Sequence, residues 1–218
     1  MDFEGDRADF DGSEGLSQVE FLFLGGNLAL DLVNTRRSRR LPGSRTIVQY
    51  DQLYDADQAS AWWHEACGKH GIGRKGVDRG IEAWSEDEFD FLLALRVELR
   101  SVFETLREGR RAACPTPLLN RVLARGSFSL RVEAEGITRE YARREGGFDP
   151  LLAIALSAAR LLAKGELSRL RGCRSERCTL LFYDTTKSGT RHWCRPECMN
   201  RARARANYRK SKEAGESR

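Results

Sequence analysis

Four cysteines set the tightest constraint on how this chain can fold. Cys173 and Cys178 form a C-x4-C pair, Cys194 and Cys198 a C-x3-C pair, and fifteen residues separate the pairs. Each close pair makes a turn that points two sulfurs the same way. Four sulfurs then close a tetrahedron around one ion, with no open coordination position. Two disulfides, or four unrelated thiols, are the competing arrangements. A disulfide framework belongs to short secreted chains, and the sequence shows no secretory signal. The expectation is one structural Zn2+ held by Cys173, Cys178, Cys194 and Cys198. His192 precedes Cys194 by two residues and would share its face on a strand, so it is an alternative ligand.

Between the pairs, Thr179 to Asp184 is an aromatic and β-branched run that predicts a strand. Thr185 to Gly189 predicts a turn, and Thr190 to Trp193 a returning strand. Pro196 to Lys210 then reads as a helix with proline in its first turn. Knuckle, hairpin, knuckle and helix is a treble-clef or zinc-ribbon-like layout. Charge concentrates here. From Arg171 onward there are 13 Lys+Arg against 5 Asp+Glu, whereas the rest of the chain has 24 against 27. A polyanion partner is therefore to be sought at this end. On the helix, Arg201, Arg205, Tyr208 and Lys212 recur at helical spacing with Arg209 beside them. Met199, Ala202 and Ala206 form a separate stripe that predicts close packing on the hairpin. Arg191, Arg195, Asn200, Arg201, Arg205, Arg209 and Lys212 are the candidate nucleic-acid contacts, with a solvated basic end as the alternative.

This segment resembles the CGNR zinc finger of bacteria, named for a Cys-Gly-Asn-Arg string at the last ligand. Here the string is Cys198-Met199-Asn200-Arg201, with methionine in place of glycine. The Leu181-Phe182-Tyr183-Asp184 strand and the Arg191-His192-Trp193-Cys194 entry also fit.

Towards the other end, Met1 to Gly15 carries six acids and one arginine and predicts a disordered acidic tail, residues 1–15. The apolar run Val19 to Leu24 is broken by Gly25-Gly26. Asn27 is placed to cap a helix over Leu28 to Thr35. The string Gly25-Gly-Asn-Leu-Ala-Leu-Asp-Leu-Val-Asn-Thr35 resembles the opening signature of the ABATE domain, the usual partner of a CGNR finger. Asp31 and Asn34 lie three apart. They are candidate polar groups of a small-molecule site beside the glycines, or braces to neighbouring backbone. Five arginines in Arg36 to Arg45 predict a loop, either solvated or a second anion contact.

Asp57 to Lys69 reads as a helix. His64, Cys67 and His70 fall at helical spacing there, and without a fourth ligand they read as ordinary positions. Gly71-x-Gly73-x-x-Gly76 has no βαβ setting and carries no dinucleotide reading. Ser85 to Glu88 is a capping box opening the longest helix, to about Arg110. A short helix over Pro115 to Arg125, a hairpin over Ser127 to Arg143, and a helix from Asp149-Pro150 to Gly165 complete the pattern. The predicted fold is mainly α with a β-hairpin (α+β) in an N-terminal domain over residues 16–165. A small zinc finger follows over 166–212, and 213–218 is a disordered tail.

With 40% hydrophobic residues, the chain can bury one moderate core plus a metal-held module. The absence of an apolar run near twenty residues predicts no membrane span and a cytoplasmic protein. A closed four-cysteine zinc cannot activate water, and the sequence has no Gly-x-Ser-x-Gly or His-Glu-x-x-His. The expectation is a non-enzymatic regulator that binds DNA, with an N-terminal domain that senses an effector or forms a homodimer. The family resemblance implies the same, a stress-linked transcriptional regulator. RNA binding, or a zinc module that touches only protein, is the alternative.

Overall fold

A run of seven residues, Leu28–Asn34, sits at the centre of the molecule as helix α1, with every side chain buried. Asn27 caps it, its side-chain oxygen accepting from the N–H groups of Ala29 and Leu30. So short a helix is marginal by itself, and it is held by burial on all sides. It packs against α3 (Glu86–Arg107), α5 (Pro150–Lys164) and strand β6 (Leu181–Tyr183). The structure, a computed structural model, describes residues 20–40, 47–72, 83–110, 115–133, 136–143, 149–176 and 178–216. The acidic stretch 1–15 and most of the Gly71–Gly76 motif lie outside them.

Around α1 the order is β1 (Arg36–Arg40), β2 (Ile47–Asp51), α2 (Ala56–His70), α3, α4 (Pro117–Leu123), β3 (Gly126–Glu133), β4 (Gly136–Arg143) and α5. The capping box at Ser85 and Glu88 is present, each residue bonding the other's backbone. Leu92, Leu95, Leu99, Val102 and Phe103 put a buried stripe of α3 into the core. α5 opens on Asp149, which accepts from the N–H of Leu152, and on Pro150. β3 and β4 form the expected antiparallel hairpin. Arg36–Arg40 is a strand paired with Ile47–Asp51, where a loop was expected. Such a charged strand fits a two-stranded sheet that has only edges, where cations oppose edge-to-edge pairing.

The zinc-finger segment begins with a 3-10 turn, Leu167–Arg169, and strand β5, Leu170–Gly172. β5 pairs antiparallel with β6, so Leu170 faces Tyr183 and Gly172 faces Leu181. This corrects the expected hairpin. The partner of the Leu-Phe-Tyr strand precedes the first cysteine pair, and Thr190 to Trp193 is not a strand. The final helix, α6, spans Pro196–Glu216 and so continues into the stretch read as a tail.

Two cores meet along β6. Leu181 points into the large core, while Leu180 and Phe182 lie in a second, smaller one with Cys194 and Cys198. Alternation along a strand places neighbours on opposite faces. The segment before α1 repeats the device. Phe21 and Phe23 join the large core, and Leu22 and Leu24 pack on the small one. The finger is thus a docked part of one body.

Candidate metal centre and nucleic-acid interface

The loop joining β5 to β6 carries the first cysteine pair, and the second pair enters α6. Backbone bonds fix both. Cys173 N–H donates to Leu180 O (2.9 Å), Cys178 N–H to Ser175 O (2.9 Å) and Arg174 N–H to His192 O (2.9 Å). The last of these ties the two knuckles together. All four sulfurs lie within 4.8 Å of one another. Cys178 Sγ is 3.7 Å from Cys194 Sγ, which is 3.6 Å from Cys198 Sγ. A tetrahedral zinc with Zn–S bonds near 2.3 Å holds its sulfurs about 3.8 Å apart. The donor set therefore fits one structural zinc, and His192 is outside the cluster. Among the described residues no other group of His, Cys, Asp or Glu gathers in this way.

Four thiols this close cannot all ionise without a cation. Hydrogen bonds from Cys178 and Cys194 pull the Cys173 thiol down to about 2. The same bond to Cys173 pushes Cys178 up to about 12, and Cys194 is raised by Cys173 and Cys178. Bound zinc removes that conflict by neutralising the thiolates. Arg201 adds a positive group, its Nη2 donating to Cys198 Sγ at 3.2 Å.

Asp184, fully buried, shapes the approach to the second knuckle. Its carboxylate accepts from Thr186 Oγ1 (2.6 Å), Thr186 N–H (3.0 Å) and Arg191 N–H (2.7 Å), with Arg171 Nε 3.9 Å away. Burial pushes its pKa up, but these donors outweigh it and hold the carboxyl at about 2. Asp184→Asn is expected to lower the thermal midpoint of the zinc-loaded protein by about 2–8 °C, from the charged hydrogen bonds lost. A melting curve measures it.

The candidate contact residues divide by what they touch. Arg191 faces inward: its Nε donates to Trp193 O (2.9 Å), another nitrogen to Cys194 O, and its guanidinium lies 4.6 Å over the Phe182 ring. In this arrangement it braces the second knuckle. Arg195 is half-buried, with Nε 3.6 Å from Glu197. Arg201 is engaged with Cys198. Arg205 and Arg209 both reach Glu176 of the first knuckle, Arg209 at 3.5 Å. Asn200 and Lys212 are exposed.

The helix itself leaves the body early. Met199 and Ala202 are half-buried, but Ala206 is exposed, as is every residue from Arg203 to Lys212. The apolar stripe therefore anchors only the first turns. Arg203, Asn207 and Lys210 form a second polar face, at spacings of four and three, on the side away from Arg205. Sequence reasoning passed over them because it assigned that side to packing.

Asp31 and Asn34 are buried, and both have partners within the chain. Asn34 Nδ2 donates to Leu181 O (2.8 Å), and its Oδ1 accepts from Leu181 N–H (2.9 Å). Asp31 accepts from Gly25 N–H (2.6 Å) and lies 2.9 Å from His70 Nε2. The glycines serve the same junction. A Cβ on Gly25 would lie 2.7 Å from Leu30 Cβ. Gly26 has a φ of 70° and sits against Tyr183 O. Tyr183 N–H donates to Gly25 O at 2.8 Å. The close approach that the glycine pair permits is made by the finger's own strand, so these residues brace backbone.

No curated protein matches the chain. The family described as CGNR zinc finger matches residues 169–211. A second family, ABATE, described as "Putative stress-induced transcription regulator", matches residues 26–165, which covers α1 through α5. With the glycine pair, the buried Asp31 and Asn34, and the four-sulfur cluster all in place, the chain belongs to the ABATE family and carries a C-terminal CGNR zinc finger.

Proposed function

We propose that the protein is a zinc-dependent, DNA-binding transcriptional regulator whose contact element is α6. One observation carries this reading: a cationic helix, gripped at its first turns by the zinc centre, projects from the body with ten consecutive residues exposed, Arg203 to Lys212. A helix that buries none of those side chains gains little from the fold itself. At 1.5 Å per residue α6 is about 31 Å long, and its width suits a major groove. Arg203, Asn207 and Lys210 face outward, while Arg205 and Arg209 can exchange Glu176 for phosphate. The family description of ABATE as a transcription regulator supports the same role.

Binding to a mixed-sequence duplex across a salt series tests this. Neutralising Arg203 and Lys210 together (R203Q/K210Q) should flatten the slope of log K against log salt by about 1.8, at roughly 0.9 per phosphate contact. A variant that keeps its zinc, its fold and an unchanged slope removes this face from the interface. The same series on single-stranded and duplex RNA separates DNA from RNA.

A further inference from the structure

The two knuckles differ in how far their sulfurs lie from solvent. Cys194 and Cys198 are buried in the small core, at 0% and 1% exposure. Cys173 and Cys178 are only half-buried. Both line a cavity of about 200 Å3 between α3 and the first knuckle, with Arg100, Glu104 and Arg107 in its wall. The second cysteine pair does not reach it. A small molecule entering here therefore meets the first pair alone.

The wall is cationic. Arg107 lies against Gly172, the residue before Cys173: a Cβ on that glycine would collide with its Nη1 and sit 3.4 Å from its Cζ. Arg100 is tied down, donating to Glu104 at 2.5 Å and to Thr179 O at 2.8 Å. Arg107 is held more loosely, with Glu108 at 3.8 Å. The sulfurs differ as well. Cys198 Sγ accepts from the Arg201 guanidinium at 3.2 Å, a charged donor that draws density from sulfur. The bond that Cys173 Sγ takes from Cys194 N–H is neutral and longer, 3.5 Å. Zinc holds its ligands as thiolates, the nucleophilic form, so the first pair is the more reactive one.

We propose that Cys173 and Cys178 are a peroxide-reactive pair, reached through this cavity, whose closure to a disulfide releases the zinc. One sulfur attacks an oxygen of hydrogen peroxide. The S–O bond forms as the O–O bond breaks, giving a sulfenic acid and hydroxide. Arg107 supplies N–H donors for the charge that develops on the departing oxygen. The second sulfur, within 4.8 Å, then attacks the first, and the S–S bond forms as the S–O bond breaks with loss of a second hydroxide. Two protons from solvent turn both hydroxides into water, and two electrons have passed from the sulfurs to the peroxide. Half the ligand set is then gone. The inference rests on the four-cysteine centre and goes beyond the reading of α6.

The test uses the full-length, zinc-loaded chain and hydrogen peroxide, with a chromogenic chelator reporting free zinc. One zinc per chain should appear as two thiols are lost, and dithiothreitol with added zinc should reverse the change. At half release, alkylation and peptide mass mapping should find the Cys173–Cys178 disulfide, with Cys194 and Cys198 recovered as thiols. R107Q should slow release about ten-fold, less than for an enclosed oxyanion donor because this side chain is 39% exposed. A finger merely loosened by R107Q would release zinc faster, so the direction separates the two roles. Should R107Q fail to load zinc, the mapping on wild type decides. Zinc retained in excess peroxide, or a first disulfide that includes Cys194 or Cys198, overturns the pair. Release from R107Q at or above the wild-type rate overturns the cavity as its route. These readouts involve no nucleic acid, so a wild-type chain that binds no duplex removes the α6 reading and leaves this one standing.

Discussion

Replacing Cys194 with serine, or stripping the metal with a chelator, will unfold the knuckles and α6 while α3 and α5 stay folded. The small core explains the selectivity. Its fully buried members are Leu180, Phe182, Cys194 and Cys198, so half of them are metal ligands. Without zinc, four thiols with conflicting ionisation must share one pocket, and the apolar area left is too small to order the segment. Structural zinc in finger peptides contributes roughly 10–16 kcal/mol at neutral pH, comparable to the whole stability of a domain. The large core has over twenty buried members and needs no metal. Metal analysis should give close to one zinc per chain in the wild type and near zero in Cys194→Ser. Hydrogen exchange should show protection lost at 173–180 and 190–202 but kept in α3. A wild-type zinc content far below one per chain, or knuckle protection that survives the substitution, would overturn the assignment.

How much of this was legible in the sequence varies with the range of the forces involved. The cysteine tetrad could be read because ligand spacing is local and few chemistries use it. The longest helix could be read because Ser85 and Glu88 announce its start and its apolar period runs from Phe91 to Leu106, about four turns. The partner of the Leu181 strand could not. Both Leu170–Gly172 and Thr190–Trp193 are short enough to pair with it. The choice is made by tertiary contacts, since Arg191 N–H is taken by Asp184 and His192 O by Arg174. Composition alone misread Arg36–Arg40, because five arginines in ten residues look like a loop until a partner strand is known. At Gly25, Gly26, Asp31 and Asn34 the sequence pointed to close backbone approach, with a small-molecule site or bracing of neighbouring backbone as the alternatives. Local spacing could not reveal that the approaching group is the chain's own strand, more than 140 residues away. The outward stripe of α6 was missed for a related reason. Small apolar residues at helical spacing predict packing, but Ala206 lies beyond the edge of the body and is exposed.

The junction between the two domains gives the second large effect, through Asn34. Its amide satisfies both backbone groups of Leu181, one residue at the seam between the cores, and all of these atoms are buried. Asn34→Ala leaves an N–H and a C=O without partners in an apolar setting. Each such group costs about 1–3 kcal/mol, so the expected loss from the two is about 2–6 kcal/mol. For a chain of this size, with a shift of roughly 2–4 °C per kcal/mol, that lowers the melting midpoint on the order of 10 °C. Asn34→Asp is a sharper version of the test. It keeps an acceptor for Leu181 N–H but turns a carboxylate oxygen towards Leu181 O, so it should be at least as damaging at neutral pH. Zinc content should remain near one per chain in both variants, since no ligand is touched. The Leu181 amide should lose protection before the cysteine loops do. A midpoint within 1 °C of the wild type, with that amide still protected, would show that hydrophobic burial of Leu181 and Phe182 alone joins the finger to the N-terminal domain.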